Sequence, residues 1–399
     1  MKILIVTHLA SHSPSGVVTY YQTLARDLRA QGHTVRVVET TATPALWNKL
    51  LNYLGHLLNR LGRTSQVLWH ETSYFVRLYL GVRQVRQEGF DLIHAQDARS
   101  GVAAWYALGK QVPVLLTAHF NDDPVTEWAM GGPRTPGTLS PALLSMLTRW
   151  YRWLFAHIGH YVFVSNYAYK QSKHLLPANV QRLILPNTVS IDPNALPQKP
   201  VTTSTSPLTI SNVGYVDERK NQELLIRIGA ELRRQGLTDF QINLIGDGPK
   251  RAEYEQLVAT LKLGGHVHFL GRQAEPWRLV RQSDLYVHTA LNDNCPYALL
   301  EAFAVGTPVL ALPVGGVPEL MPDGAGLLRG RDPVQLAQQL LAYRPAPARQ
   351  KLALTQTRYA RQHLNPETSL RKLLAFYQKC TGQLATPTQQ TVELTSITH

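Results

Sequence analysis

Apolar residues fall along this chain in short runs, separated by helix-length stretches where apolar and polar positions recur every three to four residues. That alternation is the pattern of parallel strands joined by crossover helices. In the first half it predicts strands over residues 2–7, 34–38, 91–94, 112–118, 161–164 and 182–185, with a helix over 17–31 closed by Gly32. The pattern lapses at DPNALPQKPVTTSTSP, a stretch too rich in Pro, Thr and Ser to pack, which reads as a linker. It restarts with strands over 208–213, 241–245, 266–270, 284–288 and 308–311, and helices over 221–235 and 249–261. Beyond Asp332 the chain is helical, broken near 344–347, and ends in a helix over 366–379. The expected layout is a first α/β domain over 1–190, a linker over 191–206, a second α/β domain over 207–365, a C-terminal helix over 366–383 and a frayed tail over 384–399. Each domain is expected to be a doubly wound parallel sheet, the two facing a cleft, with the last helix placed to cross back to the first domain.

Length and composition agree with this. At 399 residues, 44% of them apolar and 17% charged, the chain suits two cores of roughly 150 to 200 residues each. No stretch approaches the roughly 20 apolar residues of a membrane span. The opening MKILIVTHLA reads as a strand, because its apolar run is too short for a secretory leader and no small-residue cleavage site follows. The two cysteines, Cys295 and Cys380, cannot build a disulfide framework or a four-ligand zinc site, and fit a reducing cytoplasm.

Charge changes the picture more. The net charge of +13 is uneven: residues 1–190 carry 18 Lys and Arg against 9 Asp and Glu. An anionic partner is favoured. Scattered basic residues and the lack of a helix-turn-helix, zinc-finger or RNP-type signature argue against nucleic acid. Anionic lipid headgroups or a phosphate-bearing acceptor fit better. The segments LWNKLLNYLGHLLNRLGR (46–63) and LLSMLTRWYRWLF (143–155) mix leucines and aromatics with basic residues at helical spacing. Two readings stay open: a surface resting on anionic lipid at the inner face of the plasma membrane, or helices burying their stripe with arginines snorkelling outward.

Ligands of open parallel sheets sit beyond the carboxyl ends of the strands. After the first strand, Ser15-Gly16 opens a helix, a weak anion site alone. Its spacing is not G-x-G-x-x-G and no ribose-binding acid ends the second strand, which disfavours an NAD-type dehydrogenase. The second half is more specific. In GYVDERKNQELLI, Lys220 stands at a helix start; in INLIGDGPKRAEYEQL, Gly246 and Gly248 permit a tight turn before Pro249. In HTALNDNCPYALLEAFAVGTPVLALPVGGVPELMPDG, Asp293 and Glu301 lie eight residues apart, with Pro296 opening the helix that carries Glu301. A carboxylate among apolar neighbours needs a partner, and vicinal sugar hydroxyls supply one. Backbone amides of Tyr297 and Ala298 at the helix start suit a diphosphate.

The ordered series G-Y-V-D-E-R-K-N, I-G-D-G-P, H-F-L-G-R, D-x7-E, A-F-A-V-G-T-P-V and G-G-V-P-E resembles the family 4 glycosyltransferases, retaining enzymes of the GT-B architecture. The resemblance spans nearly the whole second domain, and reaches the first more loosely through Gly16, His119, Ser165 and Asn187. It implies a nucleotide-sugar donor, UDP before GDP, and a glycan, lipid-linked or small-molecule acceptor. It further implies that Glu301 holds the donor ribose, Asp293 the transferred sugar, and Lys220 with Gly16 the diphosphate, while His119 stands near the donor sugar. Gly214, Gly246, Gly248 and Arg272 would frame the nucleotide, and Asn294, Cys295, Pro296, Tyr297 and Ala298 would line the donor. No D-x-D sequence is present, so catalysis without metal or other cofactor is expected. Tyr215 stands where the family commonly has Arg, Ser15 replaces a glycine, and Asp293 replaces a glutamate. A non-catalytic sugar-nucleotide-binding module and a sugar-nucleotide 2-epimerase remain as alternatives.

Overall fold

The computed structural model of the chain describes residues 1–13, 15–129, 139–191 and 207–382. The expected linker, apart from Ile191, and the tail lie outside these residues. The first sheet comprises β1 (Lys2–Thr7), β2 (Thr34–Glu39), β3 (Leu92–Ala95), β4 (Val114–Ala118), β5 (His160–Phe163) and β6 (Gln181–Ile184). The second comprises β7 (Leu208–Val213), β8 (Phe240–Ile245), β9 (Val267–Gly271), β10 (Leu285–His288) and β11 (Val309–Ala311). Strand orders are β2-β1-β3-β4-β5-β6 and β11-β10-β7-β8-β9, and every pairing is parallel. Both expected doubly wound domains are therefore present.

The uninterrupted apolar runs follow from this burial. Side chains alternate between sheet faces, so Leu4 and Val6 enter one core with Ile93 and Leu116, while Ile3 and Ile5 enter the core on the other face with Leu92 and Leu115. That second core is completed from far along the chain. The helix Ala346–His363 packs on the second sheet, where Gln356 brackets Val309 by accepting from its N–H at 2.8 Å and donating to its carbonyl at 2.9 Å. After Asn365 caps the next helix, Pro366–Cys380, that helix sets Leu373, Phe376, Tyr377 and Cys380 against Ile3, Ile5 and Tyr21 of the first domain. The last helix does cross back, and Tyr377 Oη seals it 2.6 Å from His94 Nδ1.

Two elements depart from expectation. The helix starting at Ala45 stops at Leu58, before Gly62 takes a positive φ. A long helix, Arg63–Arg83, follows that the apolar pattern does not announce, because it buries polar positions including Glu71 and Ser73. Over 46–63 the apolar residues are not all buried: Leu46 (79% exposed), Tyr53 (64%) and Leu61 (75%) face outward with Trp47, Leu50 and Leu57. In the helix Pro141–Ala156 the stripe is mostly buried through Leu143, Leu147, Leu154 and Phe155, leaving Met146 and Trp153 exposed. Among the described residues no helix is long and apolar enough to cross a membrane.

Tyr377→Phe removes a hydroxyl from a buried imidazole and leaves His94 Nδ1 unpaired. Urea unfolding should register a loss of about 1–3 kcal/mol; an unchanged midpoint would show that the crossing helix is held by apolar contact alone.

Candidate functional site

In the second sheet the winding direction reverses between β7 and β10, and the crevice outside their carboxyl ends is where a doubly wound sheet takes its ligand. The glycines there set how closely its loops approach. A Cβ at Gly246, whose φ is +141°, would lie 1.9 Å from the Gly214 carbonyl oxygen; one at Gly248 would lie 2.3 Å from that of Val216. Backbone thus packs on backbone, and beside it opens a hollow of about 500 Å³ lined by Gly214, Tyr215, Gly246, Asp247, Gly248, Arg272 and Gln273. Tyr215 is half exposed on that wall, and Arg272 is exposed at its rim.

Deeper in the crevice three titratable groups converge. Lys220 follows a tight turn in which its own N–H donates to Asp217 Oδ1 at 2.8 Å. The turn is stitched to the loop after β10: Leu291 N–H donates to the Arg219 carbonyl at 2.8 Å, and Thr289 Oγ1 to the Lys220 carbonyl at 3.1 Å. That stitching brings Lys220 Nζ into contact with Asp293 Oδ2. His288 closes the group, its Nε2 3.6 Å from the same oxygen and otherwise unpartnered. Burial pushes the Asp293 carboxyl up, but Lys220 and His288 outweigh it and hold the group below its ordinary value. Burial lowers His288 to about 4, so its ring is neutral near pH 7.

Glu301 differs. It sits in the helix Tyr297–Ala304 and makes no hydrogen bond or ion pair among the described residues. Burial alone raises it to about 7.

Across the cleft, Gly16 opens the helix Gly16–Ala30, where a Cβ would approach the Tyr297 ring to 3.2 Å. His119, after β4, bonds Gln96 Oε1 through Nε2 at 2.9 Å and meets Tyr20 edge to face at 4.7 Å. Burial drives His119 down to about 3, which makes it a neutral hydrogen-bonding group.

Between the domains runs the loop 289–296, whose side chains divide between the two. Asn292 Nδ2 donates to Asp122 Oδ2 at 2.6 Å, and Asn294 Nδ2 to the Phe120 carbonyl at 2.6 Å. Cys295 accepts from Asn187, N–H to Sγ at 3.2 Å and Nδ2 to its carbonyl at 2.9 Å. Farther out, Glu319 accepts from the N–H groups of Asn166 and Tyr167 at 2.8 and 2.7 Å, capping a first-domain helix from the second domain.

The expected residues therefore divide. Lys220, Asp293, Glu301, Gly214, Gly246, Gly248 and Arg272 gather on the second-domain wall, with Pro296, Tyr297 and Ala298 at the helix start facing Gly16. Asn294 and Cys295 turn their side chains to the first domain instead, so they join the lobes. His288 was missed; its one signal is an imidazole ending the apolar strand DLYVH.

Two doubly wound domains with a glycine-lined crevice and a helix start facing a cleft define the GT-B class of transferases. Two family models match side by side: Glycosyltransferase Family 4 over residues 14–192 and Glycosyl transferases group 1 over residues 197–343. The chain belongs to the family 4, group 1 glycosyltransferases. EpsF of Bacillus subtilis, assigned as a glycosyltransferase, is 27% identical over 223 residues, 55% of this chain and 56% of its own. The match thus spans about half that relative's length. Among solved structures, Anabaena Alr3699/HepE in complex with UDP and glucose superposes with a TM-score of 0.69 at 17% identity, covering 95% of this chain and 100% of its own. Sucrose-phosphate synthase from Thermosynechococcus elongatus gives 0.73 at 18%, covering 96% and 99%.

The folded-state value of Glu301, near 7, lies above its ordinary 4.5. Its contribution to stability is therefore full below pH 4.5 and is lost as pH rises through 7. Glu301→Gln should be more stable than the native chain at pH 8 by on the order of 1–3 kcal/mol, a gap that closes in acid. Chemical unfolding at both pH values measures it, and a gap independent of pH would refute the burial.

Proposed function

We propose that the chain transfers a sugar, with retention, from a UDP-sugar to a lipid-linked glycan acceptor, without a metal ion. The observation that carries this reading is the convergence of Lys220, Asp293 and His288 at the second sheet's switch point, just before the helix Tyr297–Ala304 that carries Glu301 and starts opposite Gly16. Breaking the bond between the anomeric carbon and the diphosphate places charge on the departing phosphate. Catalysis then needs fixed positive potential there and little water. Lys220 supplies a cation and the unpaired N–H groups at the helix start supply the positive end of a dipole. The unpartnered Glu301 carboxylate is suited to accept from the vicinal hydroxyls of a ribose. In a retaining front-face reaction the acceptor hydroxyl forms the new bond and its proton passes to the leaving phosphate. The UDP carried by the HepE structure supports the choice of base.

The acceptor side is served by the outward stripe on the helix Ala45–Leu58, where Leu46, Trp47, Leu50, Tyr53, Leu54 and Leu57 are exposed beside Lys49 and Arg60. Such a face suits an anionic bilayer surface, the aromatic and leucine side chains entering the interface and the cations meeting headgroups.

Lys220→Ala should lower transfer from the UDP-sugar by about 10²-fold or more and, by leaving buried Asp293 unpaired, also lower the melting temperature. Adding Asp293→Asn should restore the melting temperature while transfer stays lost. Recovery of both would make Lys220 a structural residue only. Separately, the native chain should float with phosphatidylglycerol vesicles at low salt, and Leu50→Glu with Tyr53→Glu should abolish flotation; a native chain left at the bottom of the gradient removes the membrane surface from the reading.

A further inference from the structure

Asp293 is buried, and its two partners differ in what a ligand can reach. Lys220 borders the hollow: a Cβ on Gly214, one of the lining residues, would meet the Lys220 Cγ at 3.2 Å, and the lysine side chain is 17% exposed. His288 stands behind, 2% exposed, with Nε2 3.6 Å from Asp293 Oδ2. Arg219 acts on the same carboxylate only from farther off, its guanidinium exposed and its Nε 3.9 Å from Asp217 Oδ2. The partners also differ in freedom. Lys220 reaches Asp293 on a long flexible stem that can swing. His288 closes β10, its backbone in register with Ala311 of β11 and its carbonyl accepting from Leu312 N–H at 3.1 Å.

The neighbours of His288 fix its proton. Burial lowers the ring to about 4, Lys220 adding to burial and Asp293 opposing it, so the ring is neutral near pH 7. Burial pushes the Asp293 carboxyl up, but Lys220 and then His288 outweigh it and keep the group ionised. An ionised carboxylate only accepts, which places the ring proton on Nε2. Nδ1 is left to accept from Tyr286 Oη, 3.5 Å away, a phenol that burial pushes well up and so keeps protonated. His288 therefore aims an N–H at Asp293 from beyond hydrogen-bond distance, and that buried donor has no partner among the described residues. While Lys220 occupies the carboxylate, the unmet donor is a cost with no return.

A diphosphate changes the arrangement. It draws Lys220 Nζ to its own oxygens, and a buried carboxylate stripped of its cation is strongly unfavourable. We propose that His288 is a positioning residue for Asp293: as Lys220 turns to the diphosphate, His288 Nε2–H closes onto Asp293 Oδ2 and holds the carboxylate in the crevice. This rests on the sugar-nucleotide reading above. The hydrogen bond replaces the lost contact but not the lost charge, so it offsets part of the cost of moving Lys220. The donor left unmet without ligand is satisfied with it.

The test is calorimetry of UDP on the full chain. In His288→Leu the affinity for UDP should fall about 10-fold or more, the share of a hydrogen bond to a charged group. His288→Gln, whose amide N–H reaches the same place, should recover most of it. In Asp293→Asn there is no charge to take over, and adding His288→Leu should leave UDP affinity unchanged, an outcome that a merely structural histidine does not produce. A melting temperature of His288→Leu no lower than the native value separates the loss from a loss of fold; where leucine does lower it, His288→Asn, polar but too short to reach Asp293, reads the same fall in affinity. Native affinity in His288→Leu, a glutamine variant no better than leucine, or an equal fall in the Asp293→Asn background overturns the role of His288 alone. Failure of UDP to bind the native chain overturns the donor reading on which it rests.

Discussion

The loop from Thr289 to Pro296 is the constraint on which the cleft depends. Asn292, Asn294 and Cys295 are tied to Asp122, Phe120 and Asn187 of the first domain, while Asp293 between them is tied to Lys220 of the second. Asp293 turns away from its neighbours on either side, so a single short loop both fastens the lobes and aims a carboxylate into the crevice. The site and the interface thus share one loop. Glu319, capping a first-domain helix farther out, adds a second fastening, exposed and correspondingly weaker.

Two carboxylates eight residues apart have opposite electrostatic settings. Asp293 is buried with a cation in contact, so its charge is already compensated. Glu301 is largely buried with none, so its ionised form is unfavourable until a donor of hydrogen bonds arrives. A ligand bringing hydroxyls to Glu301 satisfies an existing deficit. One bringing anionic oxygens to Lys220 must compete with Asp293, which gives the diphosphate end a cost that the ribose end lacks.

The central strands were legible because they are buried on both faces and so read as apolar runs; the edge strands β2 and β6 expose Thr34, Arg36, Gln181 and Arg182, yet every predicted strand is present within two residues at each end. The helix Arg63–Arg83 was not, since Glu71 and its neighbours break the apolar stripe, and only the distant Arg99, Trp128, Trp150 and Tyr151 explain how a carboxylate survives there. On the second-domain wall, residue types and spacing singled out Lys220, Asp293 and Glu301 as candidates. What spacing could not convey is that Lys220 and Asp293, 73 residues apart, are each other's partners, or that Asn294 and Cys295 point away from the crevice. Both depend on how two loops are stitched, which is a tertiary fact.

Each lobe contributes one switch point, and the two are unlike in chemistry. The second offers glycines, a cation and a helix start, groups that grip phosphate through backbone and charge. The first offers imidazoles, a phenol, an indole and a buried amide, contributed by His8, His119, Tyr74, Trp128 and Gln96. Arg99 in the first domain is already engaged by Glu71 and Asp97, with its guanidinium over Tyr74. Lys49 and Arg60 lie instead with the exposed leucines of the helix Ala45–Leu58. Charged and apolar groups on the outer face and neutral polar groups at the crevice are thus separate surfaces of the first domain.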